Sequence, residues 1–241
     1  MKGVNAIISL GFTIYAVLYI LIPAILAQAN LYVLTLAVAF FVTALSFALI
    51  GGLTKKTVAA TLGCVGGMLV ATLLAVVFMS TMRMSGVVSE DFTYLIYIMD
   101  EVPINLRGVL FMAIIIGSLG AVMDVAMSIS SSLDEIVANA PKIKPFALIK
   151  SGMNIGKDIM GTMANTLILA YMGSSLSMVL LLLVYGRPMT LMIHSEYLAS
   201  EVLQAIAGSL GILFTIPITA IVGAYLFQRQ RKEPVMESDA S

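Results

Sequence analysis

The residue in this sequence with the clearest chemical potential is Asp124, a carboxylate near the middle of a long apolar segment. A charged side chain at the centre of a membrane-spanning helix costs about 2.5–3.5 kcal/mol on insertion scales, so it usually has a function or a buried partner. Such a carboxylate can bind a proton or a cation, and nearby hydroxyl and amide groups can complete the coordination. Asp124 is therefore the first candidate for an intramembrane polar site.

Small and polar residues surround Asp124 at spacings of three and four, which places them on one face of a helix. The opposite face carries isoleucine, valine, methionine and leucine, so we expect the polar face to contact other helices or water rather than lipid. The face consists of Gly117, Gly120, Ala121, Asp124, Ser128, Ser131 and Glu135.

The next apolar segment carries a second polar face, formed by Asn154, Asp158, Thr162 and Asn165. A rise of about 1.5 Å per residue puts Asn165 and Asp124 at similar depth on antiparallel neighbours. We therefore expect a hydrogen bond between these two side chains. The predicted substrate or ion pathway comprises Asp124, Ser128, Asp158, Thr162 and Asn165.

Glycines at short spacing predict close contacts between helices, because small residues allow two backbones to approach in lipid. The predicted packing residues are Gly63, Gly66, Gly117, Gly120, Gly208 and Gly211. The tetrapeptide Gly-Ser-Leu-Gly occurs at 117–120 and again at 208–211, and the same alignment pairs Asp124 with Thr215. Four identities can arise by chance, whereas a true repeat would give two related helices beside one site.

The composition identifies lipid as the solvent of these segments. The chain has 241 residues, of which 60% are hydrophobic and 11% charged; soluble domains are about 45–50% apolar and about 25% charged. A net charge of zero gives no basic field for nucleic acid. One cysteine, Cys64, excludes an internal disulfide, and with one histidine, His194, we expect no metal site and no cofactor.

Six segments are long enough to cross the hydrocarbon core, and they predict an all-α, polytopic membrane protein. They form one domain, 1–227, followed by a disordered tail at 228–241; the spans are about 4–27, 31–52, 57–80, 108–133, 160–185 and 202–227.

The basic residues predict that both termini are cytoplasmic, because cytoplasmic segments are enriched in lysine and arginine. The predicted exterior segments hold Arg83, Arg107 and Arg187, and the predicted cytoplasmic ones hold Lys2, Lys55, Lys56, Lys142, Lys144, Lys150, Lys157, Arg229, Arg231 and Lys232. The first span also resembles a signal peptide that ends at Ala27-Gln28-Ala29. Its apolar run exceeds the usual 7–15 residues, roughly, of such a peptide, which favours a retained span.

Two polar connections are predicted between the spans. The exterior one, 83–107, contains Glu90, Asp91, Asp100 and Glu101 around an apolar stretch at 92–99 that could lie on the membrane surface. The cytoplasmic one, 134–158, is rich in lysine, and an interfacial helix is predicted to start at Pro145. Glu196 and Glu201 are assigned to the last exterior loop.

Three segments of the sequence resemble the YibE/F-like membrane proteins of bacteria. These are GSLGAVMDVAMSISSSLDEI (117–136), GKDIMGTMANTLILAYMG (156–173) and AGSLGILFTIPITAIVGAYL (207–226). The length is similar to that of the shorter, F-type members. The resemblance implies a multi-pass protein of the bacterial plasma membrane without an assigned reaction. It also implies a possible hetero-complex with a longer, E-type relative.

The sequence leaves two functions open and disfavours a third. A transporter or permease component would use Asp124 to bind a proton or cation. An accessory or scaffold subunit, which could also be a homo-oligomer, would use Asp124 as a contact between helices. An intramembrane aspartyl enzyme would pair Asp124 with Asp158, but the Gly-x-Gly-Asp element of such enzymes is missing. We therefore expect no enzymatic activity and no catalytic residue.

Overall fold

The computed structural model describes residues 2–88, 104–186, 188, 190, 191 and 194–229, and this part of the chain is helical without any strand. Six helices are long and apolar enough to cross a membrane. We number them first to sixth in chain order. The first is Gly3–Leu26, and the others are Leu31–Gly51, Lys55–Thr81, Leu106–Asn139, Pro145–Val184 and Glu196–Arg229.

Polar residues at the helix starts define where several helices begin, because a capping side chain accepts a hydrogen bond from an otherwise unpaired amide. Asn30 accepts from the amide of Val33 (3.3 Å) at the start of the second helix. Asn105 accepts from the amide of Gly108 (3.0 Å) at the start of the fourth helix. The fifth helix instead begins with Pro145, whose missing amide donor leaves one fewer group to satisfy.

The fourth and fifth helices are longer than the sequence predicts. The expected cytoplasmic connection at 134–158 is mostly helical, and only residues 140–144 separate the two helices. The predicted interfacial helix at Pro145 is the first turn of the fifth helix. Hydropathy marked only the apolar part of each helix, whereas a helix can continue into water when its polar residues favour helical backbone.

The first helix changes its hydrogen-bonding pattern ahead of its proline. An α-helix at Lys2–Ala16 passes through a π-helical turn at Val17–Leu21 and resumes as an α-helix at Ile22–Leu26. Pro23 has no amide hydrogen, and π-turns are a common way to accommodate such a gap in the ladder. By contrast, the sixth helix remains continuous through Pro217.

The fourth and sixth helices lie at the centre of the bundle. The fourth contacts the second, third, fifth and sixth helices, and the sixth contacts the third, fourth and fifth. The first helix packs mainly on the second, where Ser9 donates to Ser46 (2.6 Å) and Asn5 donates to the Leu49 carbonyl (2.7 Å). The fifth helix packs only along one side, so most of its surface is accessible.

Some predicted features lie outside the described residues. These are the acidic exterior connection with Glu90, Asp91, Asp100 and Glu101, the apolar stretch 92–99, Arg187, and the tail beyond Arg229.

Candidate functional site

Asp124 lies on the accessible side of the fourth helix. Val122, Val125 and Ala126, which follow the other side of the helix, have no exposed surface. One turn earlier, a Cβ atom added at Gly120 would meet no atom within 4 Å. Among the described residues, Asp124 makes no hydrogen bond and no ion pair. We call the surface formed by Gly120, Asp124 and the half-buried Ser128 the Asp124 face.

The predicted polar face of the fifth helix is also accessible. Asp158, Thr162 and Asn165 are exposed, as is Asn154 at its start. Thr162 donates its hydroxyl hydrogen to the Ile159 carbonyl of its own helix (2.8 Å), and the other three make no hydrogen bond within the described chain. We call these four residues, Asn154, Asp158, Thr162 and Asn165, the fifth-helix polar face.

Two contacts fix the register between the fourth and fifth helices. The Tyr171 hydroxyl oxygen lies 2.9 Å from the position of a Cβ atom at Gly117. The Leu133 Cδ2 atom lies 3.2 Å from the corresponding position at Gly152. The later residue of one helix thus meets the earlier residue of the other, so the two helices run antiparallel.

Asp124 lies seven residues after Gly117, so the first contact places it level with residue 164, seven before Tyr171. It lies nine residues before Leu133, so the second contact places it level with residue 161, nine after Gly152. Asn165 is therefore within about 6 Å of that level, given the rise per residue. The predicted hydrogen bond between Asp124 and Asn165 is nevertheless not formed, and both side chains are exposed. The sequence indicated their depth but not the rotation of each helix about its own axis.

The packing glycines divide into two environments. Side chains added at Gly63, Gly66 and Gly67 of the third helix would collide with Thr219, Ile218 and Thr215 of the sixth, respectively. Gly208 and Gly211 of the sixth helix are similarly enclosed, with Ser118 and Val122 of the fourth helix beside them. Gly117 faces Tyr171 and Gln204, whereas only Gly120 of the predicted set faces open space.

The two copies of Gly-Ser-Leu-Gly therefore lie side by side on parallel helices, since Gly208 is next to Ser118 and Gly211 is next to Val122. The position aligned with Asp124 is Thr215, which is completely buried and donates to the Gly211 carbonyl (2.8 Å). The two copies are level, but the aligned positions that follow them differ: Thr215 and Thr219 are buried, whereas Asp124 is exposed and Ser128 is half-buried.

The structure corrects the placement of Glu201, which the sequence reading assigned to an exterior loop. The sixth helix begins at Glu196, so Glu201 lies inside it. Glu196 accepts hydrogen bonds from the Ser85 hydroxyl (2.7 Å) and from the Gly86 amide (2.6 Å), which joins the end of the third helix to the start of the sixth.

Glu201 belongs to a polar cluster between the fourth, fifth and sixth helices that sequence reasoning missed. Its Oε2 atom and the Tyr171 hydroxyl are both buried without a hydrogen-bond partner. The Ser175 hydroxyl lies beside the Glu201 carboxylate and donates to the Tyr171 carbonyl (2.6 Å). Gln204 donates its side-chain N–H to the Ala113 carbonyl (3.1 Å). We call Tyr171, Ser175, Glu201 and Gln204 the Glu201 cluster.

A periodicity in the sequence could have revealed this cluster. Polar and small residues continue through the sixth helix at spacings of three and four, which defines one helical face. Hydropathy alone began the span at 202 and so excluded the first member of that face. The face consists of Glu201, Gln204, Gly208, Gly211, Thr215 and Thr219.

The two polar regions offer different chemistry. The Asp124 face presents an accessible carboxylate, and the Glu201 cluster presents a half-buried carboxylate beside neutral donors and acceptors. Within the described residues, no group of three or more histidine, cysteine, aspartate or glutamate side chains could hold a metal ion. Cys64 is buried, with its sulfur 3.8 Å from the Thr43 hydroxyl oxygen.

Comparison with protein families matches residues 1–229 to the YibE/F-like protein family. Comparison with curated proteins and with solved structures gave no significant match. The match covers all six long helices, including both polar regions. Together with helices that are apolar enough to cross a bilayer, it fits a multi-pass membrane protein. The three segments that suggested the resemblance all lie within this one match. The chain therefore belongs to the YibE/F-like family.

Proposed function

We propose that this chain is a subunit of a transport complex in the bacterial plasma membrane. In this proposal both termini are cytoplasmic, and the Asp124 face forms part of a polar pathway where the chain meets another chain. The observation that supports the proposal is an accessible, unpaired carboxylate in the middle of a helix long enough to span the membrane. Contact with hydrocarbon would cost Asp124 about 2.5–3.5 kcal/mol, which water or a polar partner would offset.

The residues around Asp124 suit a proton or a small cation. The carboxylate supplies the charge, and the Ser128 hydroxyl lies one turn away on the same face. Asp158, Thr162 and Asn165 of the fifth-helix polar face add further oxygen and amide groups within about two turns of the Asp124 level. All of these side chains are at least partly accessible, so a second chain could enclose them in one pathway.

The partner that we propose is the longer, E-type relative that the family resemblance implies, with another copy of this chain as the alternative. Both would supply helices that cover the open surface at Gly120. Small residues permit such a close approach of helices in lipid.

The proposal is tested by ion flux in proteoliposomes that contain the chain and its longer relative. Proton flux is followed with an enclosed pH-sensitive dye, and sodium and potassium flux with ion-selective dyes. Asp124→Asn should reduce the flux about tenfold or more, because an amide carries neither the charge nor the proton. Asp134→Asn is the matched control: it lies near the end of the same helix, in an exposed ion pair with Lys56 (3.8 Å). Unchanged flux in Asp124→Asn would refute the ion-binding role.

A second function, that of an accessory subunit without transport, is favoured by the position of the Asp124 face on the outside of the chain. Two cavities of about 400 Å³, one between the third and sixth helices and one between the second and third, are lined by apolar side chains. Neither cavity therefore supplies polar groups that would bind an ion inside the chain. In this case Asp124→Asn should preserve co-purification with the partner, since asparagine keeps most of the hydrogen bonding. Asp124→Leu should reduce co-purification about threefold to tenfold, as expected for one interhelical hydrogen bond in lipid. Neither function assigns a catalytic role to Asp124 or Asp158.

A further inference from the structure

The Glu201 cluster lies where the fourth, fifth and sixth helices meet, and its ionisable side chains are half-buried there. Glu201 comes from the sixth helix, and Tyr171 from the fifth. The Glu201 carboxylate is close enough to Tyr171 to interact with it electrostatically. Yet Oε2 of Glu201 and the Tyr171 hydroxyl are both buried and both without a hydrogen-bond partner. Buried polar atoms are nearly always paired. The hydroxyls of Thr72, Ser209 and Thr219 are unpaired as well, but Glu201 and Tyr171 are the ionisable residues among these described exceptions, which points to a place where a ligand or a proton binds.

The fourth helix makes room for these polar atoms. Gly117 lacks a side chain at the level of Tyr171, and a Cβ atom there would lie 2.9 Å from the Tyr171 hydroxyl oxygen and 2.8 Å from the Gln204 side-chain nitrogen. Gln204 uses this space to donate to the Ala113 carbonyl (3.1 Å). The glycine therefore leaves room beside the fourth helix for the Tyr171 hydroxyl and the Gln204 side chain, which a larger residue would displace.

Among the residues that the structure describes, Glu201 makes no ion pair. Within the described part of the chain, the fourth helix offers it the Ala113 carbonyl and Gly117, and the fifth helix offers Tyr171 and Ser175. The nearest acidic residue along its own helix, Glu196, is bound to Ser85 and Gly86 instead. The third helix faces the start of the sixth across an apolar cavity lined by Phe78, Met82, Leu198 and Val202, among others.

We propose that Glu201 and Tyr171 form a proton-binding site between the fifth and sixth helices, about 10 Å along the fourth helix from Asp124. The carboxylate takes a proton from a hydronium ion, which leaves a neutral carboxylic acid and a water molecule. A phenol hydroxyl both donates and accepts, so Tyr171 can donate to the ionised carboxylate and can accept from the protonated acid. The buried Oε2 atom of Glu201 accepts no hydrogen bond from the described chain, so a proton bound to it fills an otherwise empty hydrogen-bond position. The site does not require that the chain transports anything.

Dicyclohexylcarbodiimide tests the site directly, because this apolar reagent modifies protonated carboxyl groups in apolar surroundings. The full-length protein in liposomes is treated in buffers from mildly acidic to mildly alkaline, and labelled residues are identified by mass spectrometry. Glu201 should be labelled at the acidic end, and the labelling should fall as the pH rises. Glu196 is the internal control: both of its carboxyl oxygens already accept hydrogen bonds, from the Ser85 hydroxyl and the Gly86 amide, and it should show little labelling.

The role of Tyr171 is tested by Tyr171→Phe, with Tyr185→Phe as the matched control at the exposed end of the same helix. In the proposal the Tyr171 hydroxyl donates to Glu201 only when the carboxylate is ionised. Without this donor, the labelling of Glu201 should fall at a pH about one unit higher, the effect of one hydrogen bond to a charged group. The control should leave the curve unchanged.

Three results would overturn the proposal: no labelling of Glu201 at any pH, labelling that does not depend on pH, or equal curves for the two tyrosine variants. The wild-type measurement alone decides the first two, so the test stands even if a variant does not fold. The same titration in Asp124→Asn separates the two sites, because the Glu201 curve should persist there whether or not ion flux is lost.

Discussion

The two copies of Gly-Ser-Leu-Gly have the same sequence and lie at the same level, but their surroundings differ. In the sixth helix, Gly211 has the Ala71 Cβ atom, the Val122 side chain and the Gly67 carbonyl within 3.4 Å of a would-be Cβ atom. In the fourth helix, the corresponding Gly120 has no neighbour within 4 Å. The last glycine of one copy thus forms a contact inside the chain, and the last glycine of the other presents an open surface.

The difference shows how one pattern can serve two purposes. A small-residue motif gives helices the ability to approach closely, but it does not determine which helix approaches. The third helix packs against Gly211 of the sixth helix, and Thr215, which aligns with Asp124, is buried between these two helices. In the fourth helix, no part of the described chain fills the position at Gly120. We infer that the open copy contacts a different molecule, which is the basis of the proposed subunit contact.

The largest expected effect comes from adding a side chain at the close contact between the third and sixth helices. A side chain at Gly67 would collide with the Thr215 side chain and would lie 2.7 Å from the Gly211 carbonyl oxygen, which is backbone and cannot rotate away. Gly67→Val should therefore lower the free energy of unfolding by about 3 kcal/mol, the upper part of the usual range for overpacking. Equilibrium unfolding in mixed micelles measures this change. A stability equal to that of wild type would mean that the two helices are further apart than described.

The sequence predicted the membrane class and the packing role of glycines from general rules, but the use of each glycine depends on its partner. Gly63 and Gly208 lie in contacts between helices, as small residues in spans usually do. The level of Asp124 relative to Asn165 also followed from the rise per residue. The expected hydrogen bond between Asp124 and Asn165 is not formed, because the rotation of each helix about its own axis depends on how all neighbouring helices pack. Glu201 was missed because hydropathy averages over a window and cannot place a single polar residue at a helix start.

A smaller loss is expected at the packed copy itself. Gly211→Val adds its first carbon 3.2 Å from the Ala71 Cβ atom and 3.3 Å from Val122, and two methyl groups must then fit beside them. We expect the free energy of unfolding to fall by about 2 kcal/mol, because the neighbouring helices must move apart slightly. The same micelle titration provides the measurement. If Gly211→Val were as stable as wild type, Gly211 would be no more closely packed than Gly120.

The smallest effect on stability is expected at the open copy, and there the assembly should respond instead. Gly120→Val introduces the same side chain at the equivalent position, but it meets open space. The free energy of unfolding of the isolated chain should change by less than about 1 kcal/mol, and in the stabilising direction, because valine is a better helix former than glycine.

If another chain packs on the Asp124 face, however, Gly120→Val should block its approach just as a side chain at Gly211 blocks the third helix. Co-purification with the longer relative, and chemical cross-linking between copies of this chain, measure that loss. Gly11→Val is a suitable control, since Gly11 also faces open space but lies on the first helix, which packs mainly on the second helix and not beside the Asp124 face. If the Gly120→Val protein assembles as well as wild type, Gly120 faces lipid and not another chain. Water alone would then have to offset the cost of placing the Asp124 carboxylate in the membrane.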